Sequence, residues 1–224
     1  MSAVLDALRG GLIVSVQAEA GSPLNAPDAI AMLARVAAAN GAAGIRAEGG
    51  GRVGAVCRAV GVPVIGLVKR AYAGFDPYIT ATQREIDEAV AAGADVVAFD
   101  ATSRARPDGR DAAAVIAAIH ARGRIAMADC ATGEDARRAA AAGADIVATT
   151  LCGYTADTQG TPLPALGVLR ACAATGAFAV VEGGVATAGD VAAAFAAGAD
   201  AVVVGTAITN VDALVRRFAA AGRR

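Results

Sequence analysis

The chain has 224 residues, of which 56% are hydrophobic, and its formal net charge at pH 7 is -1. This length and composition allow one large buried core, and the small net charge provides no basic field to attract a nucleic-acid backbone. No apolar run approaches the roughly 20 residues that a membrane-spanning helix needs. We therefore expect a cytoplasmic protein with no membrane segment and no nucleic-acid partner.

The spacing of the cysteines also favours a cytoplasmic location. They show no Cys-x-x-Cys spacing, which predicts reduced thiols rather than a disulfide framework. The four are Cys57, Cys130, Cys152 and Cys172.

A near repeat organises the chain. Alanine-rich segments end at Gly41, Gly93, Gly143 and Gly198, and a Val/Ile-rich run follows each of these glycines. Glycine is a typical helix C-cap, so each run is interpreted as the next strand. The glycines recur at intervals of roughly 50 residues, which is long enough for two β/α units. Four such double units predict an α/β fold, a single-domain (β/α)8 TIM barrel over residues 1–224.

The predicted elements follow from this pattern. A short amphipathic helix over Ala3 to Leu8 would close the barrel floor with Val4, Leu5 and Leu8 facing inward. The basic end, Arg223 and Arg224, is expected to be solvated. The predicted strands are Leu12 to Gln17, Gly44 to Glu48, Val64 to Lys69, Val96 to Asp100, Ile125 to Asp129, Ile146 to Thr150, Phe178 to Glu182 and Ala201 to Val204.

Polar side chains stand at nearly all the carboxyl ends of these strands. In a (β/α)8 barrel the active site is assembled at those ends, so the pattern predicts a polar pocket. The side chains are Gln17, Arg46, Glu48, Lys69, Asp100, Asp129, Thr149, Thr150, Glu182 and Thr206.

Lys69 closes an apolar run that begins at Val62. A partly desolvated lysine has a lowered pKa and can act as a base near neutral pH. Lysines at strand ends are also commonly just solvated. The polar residues around it favour the catalytic interpretation.

Both loops that commonly hold phosphate in these barrels carry glycine. Gly183 and Gly184 follow strand 7, and Gly205 and Thr206 follow strand 8, where they would open a short helix. Glycine allows backbone N–H groups to approach an anion closely. The sequence therefore predicts a sugar-phosphate ligand.

In order along the chain, these motifs resemble the N-acetylmannosamine-6-phosphate 2-epimerases of sialic-acid salvage, nearly from end to end. The matching stretches are residues 11–17, 21–24, 45–49, 65–70, 78–80, 127–130, 149–155, 182–183 and 204–209, with Asp100, Thr102, Arg104, Arg106 and Pro107.

The resemblance implies a homodimeric isomerase that interconverts N-acetylmannosamine 6-phosphate and N-acetylglucosamine 6-phosphate without a metal or organic cofactor. Proton exchange would occur at C2 of the ring-opened sugar, with Lys69 as the catalytic lysine and Glu182 as its acidic partner. Asn210 stands where relatives often carry an arginine, which bears on phosphate affinity. The implied substrate-binding residues are Gln17, Arg46, Asp129, Thr150, Gly183, Gly184, Gly205, Thr206 and Asn210.

Other interpretations of these residues stay open. The barrel could carry another phosphosugar isomerase or an aldolase, in which Lys69 forms a Schiff base, or a non-catalytic sugar-phosphate sensor. Asp129 and Asp100 could simply accept hydrogen bonds from backbone amides at the barrel mouth, and Arg46 could pair with Glu48.

The metal-ligating residue types are sparse. The only histidine, His120, is predicted on an outer helix as a surface or packing residue. With no clustered Cys or His ligands, no transition-metal site is predicted, and only magnesium held by carboxylates stays open.

Overall fold

In the computed structural model, which describes residues 2–222, eight parallel strands pair in chain order and close into a barrel. Each strand pairs with the next, and β1 also pairs with β8, where Leu12 lies opposite Val202. The predicted (β/α)8 fold is confirmed. The strands are β1 (Leu12–Ser15), β2 (Gly44–Glu48), β3 (Val64–Leu67), β4 (Val96–Asp100), β5 (Ile125–Asp129), β6 (Ile146–Ala148), β7 (Phe178–Val181) and β8 (Ala201–Val204).

Helices alternate with the strands around the outside of the barrel. After β8, a short helix and a longer one follow in succession before the end of the described chain. Arg223 and Arg224 lie outside the described residues. The helices are α1 (Ala3–Leu8), α2 (Pro27–Ala39), α3 (Gly50–Ala59), α4 (Gln83–Ala91), α5 (Ala112–His120), α6 (Gly133–Ala141), α7 (Leu166–Ala173), α8 (Ala188–Ala196), α9 (Thr206–Thr209) and α10 (Val211–Ala221).

The repeat of glycines marks the ends of the helices that precede the even-numbered strands. Gly41, Gly93, Gly143 and Gly198 have φ angles of 96°, 96°, 95° and 100°. Glycine adopts this left-handed conformation without the steric cost that a Cβ atom imposes. The glycines therefore end α2, α4, α6 and α8 as the sequence predicted.

The barrel interior is filled by apolar side chains, among them Ile65, Val96, Met127 and Val203. Leu8 of α1 is fully buried against this interior, and Val4 and Leu5 pack partly buried beside it. The prediction that α1 closes the barrel floor is confirmed.

Four strands are shorter than predicted. β1, β3, β6 and β7 stop pairing one or two residues early, so Gln17, Lys69, Thr150 and Glu182 lie just beyond the ladder. The apolar sequence pattern continues past the last hydrogen bond of the ladder, so it overestimates the length of these strands. The rim side chains thus belong to the loops above the barrel.

No helix among residues 2–222 is both long and apolar enough to cross a membrane.

Candidate active site

A cavity of about 880 Å³ opens at the carboxyl ends of the strands. Of the predicted catalytic and substrate-binding residues, all line it except Asp129, which is fully buried behind the cavity surface. Asp100 and Thr149, which the sequence also predicts at the polar pocket, are buried and do not line the cavity. The strands position these residues because parallel strands deliver their carboxyl ends to one face of a barrel. Lining residues that the sequence reasoning did not select as site residues include Ser15, Arg52, Tyr78 and Arg217.

Lys69 projects into this cavity, where its Nζ atom donates a hydrogen bond to Gln17 Oε1 at 2.7 Å. Lys69 is exposed at the cavity mouth, yet desolvation by the protein atoms around it, followed by the charge of Arg46, lowers its pKa below the ordinary value. Lys69 is also the only lysine in the sequence, which contains 19 arginines. This count was visible from the sequence and is a signal that the motif reasoning did not use.

Arg46 lies deep in the barrel, with 1% of its surface exposed. Its Nη1 and Nη2 atoms donate to the two carboxylate oxygens of Asp129 at 3.2 and 2.6 Å. Its Nε atom is 3.2 Å from Glu182 Oε2. Arg46 therefore pairs with two carboxyl groups, one at the end of β5 and the other directly after β7.

The alternative pairing of Arg46 with Glu48 is wrong. Glu48 forms its ion pair with Arg52, in the first turn of α3. Arg46 precedes Glu48 by two residues on β2 and so lies one layer deeper in the barrel, at the level of Asp129.

Thr150 connects the two carboxyl groups. Its hydroxyl lies 2.6 Å from Asp129 Oδ1 and 3.2 Å from Glu182 Oε2. A hydroxyl has a single proton, so it donates to the closer carboxylate, and a protonated Glu182 could donate to the hydroxyl oxygen in turn. Burial raises the pKa of Glu182, against the opposing charge of Arg46. The hydrogen bond with Thr150 acts in the same direction as Arg46 and lowers the pKa of Glu182.

The two aspartates proposed as amide acceptors differ. Asp129 accepts from Arg46 and Thr150, so the backbone-amide interpretation is wrong for this residue. Asp100 accepts from the Thr102 backbone N–H at 3.0 Å and pairs with Arg104 at 2.6 Å, so the same interpretation is confirmed there. Because Asp129 is fully buried, its contact with a substrate stays a prediction that requires some movement to expose it.

The glycine turns after β7 and β8 also line the cavity. Gly183 and Gly184 have φ angles of 102° and 74°, and a side chain at Gly184 would collide with Leu163. Gly205 precedes α9, the short helix that the sequence predicted at this turn. Small residues here leave the backbone open to a ligand.

Asn210 has a role that the sequence reasoning missed. Its side-chain oxygen accepts the Ala213 N–H at 2.9 Å and so caps α10. Asparagine directly before a helix is a typical N-cap, so the signal was present. Asn210 also lines the cavity, and its contact with a substrate stays a prediction. Of the nearby cations, Arg216 pairs with Glu19, and Arg217 faces the cavity.

Tyr78 lines the cavity, whereas His120 lies on the protein surface. Burial, followed by the charge of Asp129, raises the pKa of Tyr78 in the cavity wall. His120 is exposed at the end of α5, and its Nε2 lies 2.8 Å from Oδ2 of Asp145, the residue directly before β6, which confirms the surface interpretation. Within residues 2–222, no group of three or more His, Cys, Asp or Glu side chains is arranged to hold a metal ion.

The fold and the polar cavity at its strand ends define a (β/α)8-barrel enzyme, and comparisons with known proteins specify which one it resembles. Residues 30–224 match the family model described as "Putative N-acetylmannosamine-6-phosphate epimerase". A relative from Enterobacter sp. (strain 638), named "Putative N-acetylmannosamine-6-phosphate 2-epimerase", is 44% identical over 99% of this chain and 96% of its own length. A relative of the same name from Thermosynechococcus vestitus is 44% identical over 96% of this chain and 94% of its own length.

A solved structure agrees with these relatives. The N-acetylmannosamine-6-phosphate 2-epimerase from Clostridium perfringens superposes with a TM-score of 0.93 and 36% identity, covering 98% of this chain and 96% of that one. The chain belongs to the N-acetylmannosamine-6-phosphate 2-epimerase family, and the resemblance predicted from its motifs is confirmed.

Proposed function

We propose that the protein interconverts N-acetylmannosamine 6-phosphate and N-acetylglucosamine 6-phosphate. The names of its relatives support this substrate pair. The observation that carries the proposal is the placement of Lys69: the only lysine of the chain projects into the cavity, hydrogen-bonded to Gln17 at 2.7 Å.

The reaction requires a base. The two sugars differ only in configuration at C2, and the proton on C2 is acidic only when C1 is a carbonyl. The enzyme must therefore act on the ring-opened aldehyde. We assign the neutral amine of Lys69 as the base: the C2–H bond breaks, the proton moves to Nζ, and the electron pair is delocalised onto the C1 oxygen. The lowered pKa of Lys69 increases the neutral fraction of the amine near neutral pH.

Glu182 is assigned to ring opening. When the ring opens, the C1–O5 bond breaks, O5 gains a proton and the C1 hydroxyl loses one. A protonated carboxyl group can give its proton to O5 and receive the hydroxyl proton, so that its own protonation state is restored. The raised pKa of Glu182 supports this role, because it keeps a proton available. Its neighbours Arg46 and Thr150 lower that pKa, which limits the rise and helps the carboxyl group to release its proton.

The positions of the two groups also fit inversion at C2, because the proton must leave one face and return to the other. Lys69 follows β3 and Glu182 follows β7, which lie on opposite sides of the eight-strand ring. Exchange between two groups and exchange through Lys69 alone are both compatible with this arrangement.

We place the sugar phosphate against the glycine turns at Gly183, Gly184, Gly205 and Thr206, with the cationic Arg217 nearby on the cavity face of α10. We place C1 and C2 beside Lys69 and Glu182, where Gln17 contacts the lysine and Arg46 contacts the glutamate. This arrangement supplies a base, an acid and cations from side chains, so we propose a reaction without a metal or organic cofactor.

Proton NMR in deuterated water tests the reaction. The purified protein and N-acetylmannosamine 6-phosphate should yield the epimer with deuterium at C2, because the abstracted proton exchanges with solvent. Borohydride should trap no covalent adduct. An adduct, or epimer without deuterium under slow-turnover conditions, would contradict proton exchange by Lys69.

We further propose that the protein is a homodimer that associates through α10. No residue of this helix is buried, and Val211, Val215 and Phe218 are 45%, 60% and 73% exposed at the spacing of one helix face. Light scattering should give a dimer for the wild type and a monomer for Phe218→Glu, whereas Arg137→Glu on the exposed face of α6 should stay dimeric. A monomeric wild type would refute the assignment.

A cytoplasmic location is the third part of the proposal. All four cysteines are free thiols, and burial raises the pKa of Cys172 to about 12. Such thiols persist in a reducing compartment. Fractionation of the native cells should recover the protein with cytoplasmic markers, and recovery with envelope or secreted fractions would refute this location.

A further inference from the structure

Lys69 lies two residues beyond the last residue of β3 that pairs with its neighbouring strands. β3 ends at Leu67, and its direct pairing with β4 ends where Gly66 lies opposite Val97. The hydrogen bonds of the barrel ladder therefore do not fix the backbone of Lys69. The Lys69 N–H donates to the Glu48 side chain at 3.3 Å, and the other contacts that hold this backbone come from a different part of the chain.

The segment Tyr78–Thr80 takes this position. It runs antiparallel to residues 68–70, with Lys69 opposite Ile79. The Thr80 N–H donates to the Val68 carbonyl at 2.8 Å, and the Arg70 N–H donates to the Tyr78 carbonyl at 2.9 Å. These two hydrogen bonds flank Lys69 and fix its backbone from one side.

The same segment is joined to β4. The Asp100 N–H donates to the Ile79 carbonyl at 3.0 Å, and the Thr80 hydroxyl donates to the Ala98 carbonyl at 2.6 Å. The Thr80 hydroxyl oxygen also accepts from the Val68 N–H at 3.2 Å. Tyr78–Thr80 therefore fills the gap between the ends of β3 and β4 and transmits the position of β4 to Lys69.

Thr80 adopts an unfavourable backbone conformation. Its φ angle is 46°, and no other non-glycine residue within residues 2–222 has a positive φ. A β-branched residue rarely adopts this region, and such strain persists only when the surroundings impose it. Thr80 is fully buried, so its surroundings within the protein must supply that constraint.

Arg106 supplies the remaining constraint. It is 5% exposed, and its Nη2 and Nη1 atoms donate to the carbonyls of Thr80 and Asp100, each at 2.6 Å. The rigid fork of a guanidinium can hold two carbonyl groups at a fixed separation, which an amide or an ammonium cannot do. By contrast, Arg104 and Arg110 of the same loop pair with carboxylates.

We propose that Arg106 is a positioning residue for Lys69, acting through the carbonyl of Thr80 and the Tyr78–Thr80 segment. The inference rests on the proposed role of Lys69 as the base. Without the bridge from Thr80 to Asp100, the segment can leave the rim and Lys69 can move outward with it. A displacement of about 1 Å at a reacting group can reduce the rate about 10²-fold.

The electrostatic surroundings of Lys69 predict that this displacement changes its pKa. Burial and Arg46 lower its pKa, whereas Glu48, Glu182 and Asp129 act in the opposite direction. Tyr78 of the positioning segment faces the same cavity. Since the combined effect is a lowered pKa, an outward movement into solvent should raise the pKa of Lys69 towards its ordinary value.

The single lysine makes this pKa directly measurable. Protein labelled with ¹³C at the lysine Cε should give one lysine signal, whose titration reports Lys69 alone. Arg106→Gln should raise the titration midpoint and lower kcat by about 10- to 100-fold. Arg110→Gln removes the same charge from the same loop and should leave both quantities unchanged. Thermal unfolding of both variants shows whether each is folded.

A second pair of variants covers the case in which Arg106→Gln does not fold. Thr80→Val removes the hydroxyl bonds to Ala98 and Val68 and should raise the midpoint and lower kcat, whereas Thr80→Ser keeps the hydroxyl and should restore both. Folded Arg106→Gln or Thr80→Val protein with an unchanged midpoint and kcat within about twofold of wild type would overturn the positioning role. If Lys69→Met kept its turnover, the proposed function itself would fail, and this inference with it.

Discussion

Replacement of Arg46 by methionine tests the electrostatic centre of the barrel. Arg46 is 1% exposed, and its partner Asp129 is fully buried. The guanidinium contacts both Asp129 and Glu182, so methionine would fill similar space while leaving two buried carboxyl groups without their cation.

The cost follows from this burial. Removal of one partner of a buried ion pair typically lowers the free energy of unfolding by about 3–5 kcal/mol. In a domain of this length, 1 kcal/mol corresponds to roughly 2–4 °C in melting temperature, so Arg46→Met should melt about 6–20 °C below wild type. The same change should abolish turnover, because it disturbs both Lys69 and Glu182.

The loss of stability should depend on pH. The pKa of Glu182 is already raised by burial, and Arg46 opposes that shift, so its removal raises the pKa further. A carboxyl group with a raised folded-state pKa stabilises the native state at low pH, and this contribution is lost as pH rises from the unfolded-state pKa through the folded-state pKa. The deficit of Arg46→Met should therefore be smaller at about pH 5 than at about pH 8.

Urea unfolding at both pH values provides the assay. Arg137→Met serves as the control, because its ion pair with Glu134 is exposed and should contribute nothing measurable. Adding Glu182→Gln to Arg46→Met removes one of the two uncompensated carboxyl groups and should recover part of the stability. If Arg46→Met lost less than about 1 kcal/mol, with the same pH dependence as wild type, the buried cluster would not have the energetic role argued here.

Three further predictions concern the cavity. Lys69→Arg keeps the positive charge but not a group that can lose its proton, so turnover should fall by at least about 10²-fold in folded protein, and retention of a tenth of the activity would contradict Lys69 as the base. Asn210→Ala should lower the unfolding free energy by about 0.5–2 kcal/mol through loss of the α10 cap, whereas Asn210→Asp should retain it; equal stability of the wild type and Asn210→Ala would show that the cap is dispensable. Exhaustive chelation should leave the steady-state rate unchanged, and recovery of lost activity by magnesium or zinc would refute the cofactor-free proposal.

The sequence predicted the barrel because its strongest local signals are backbone signals. Gly41, Gly93, Gly143 and Gly198 each need a positive φ to end a helix, and that requirement does not depend on tertiary packing. Their spacing therefore indicated the number of strands. The strand ends were less predictable, because the last ladder bond depends on where the neighbouring strand diverges.

The cavity residues were predictable as a set but their pairing was not. Polar residues at strand ends must meet at one rim, whereas the partner of Arg46 depends on depth within the barrel, which hydrophobicity does not report. The same limit applies to Lys69: the sequence placed it on a strand, and the structure holds it through Ile79 and its neighbours.

The division of work between lysine and arginine in this chain follows from their chemistry. A guanidinium stays protonated in proteins, so Arg46 can act only as a fixed charge, whereas the amine of Lys69 can gain and lose a proton. The charge of Arg46 lowers the pKa of both Lys69 and Glu182. Both shifts assist the proposed reaction, because Lys69 must become neutral and Glu182 must be able to release the proton that burial helps it to hold. The charge of one buried cation thus lowers the pKa of both the proposed base and the proposed acid. Two hydrogen bonds to Asp129 fix the position from which it does so.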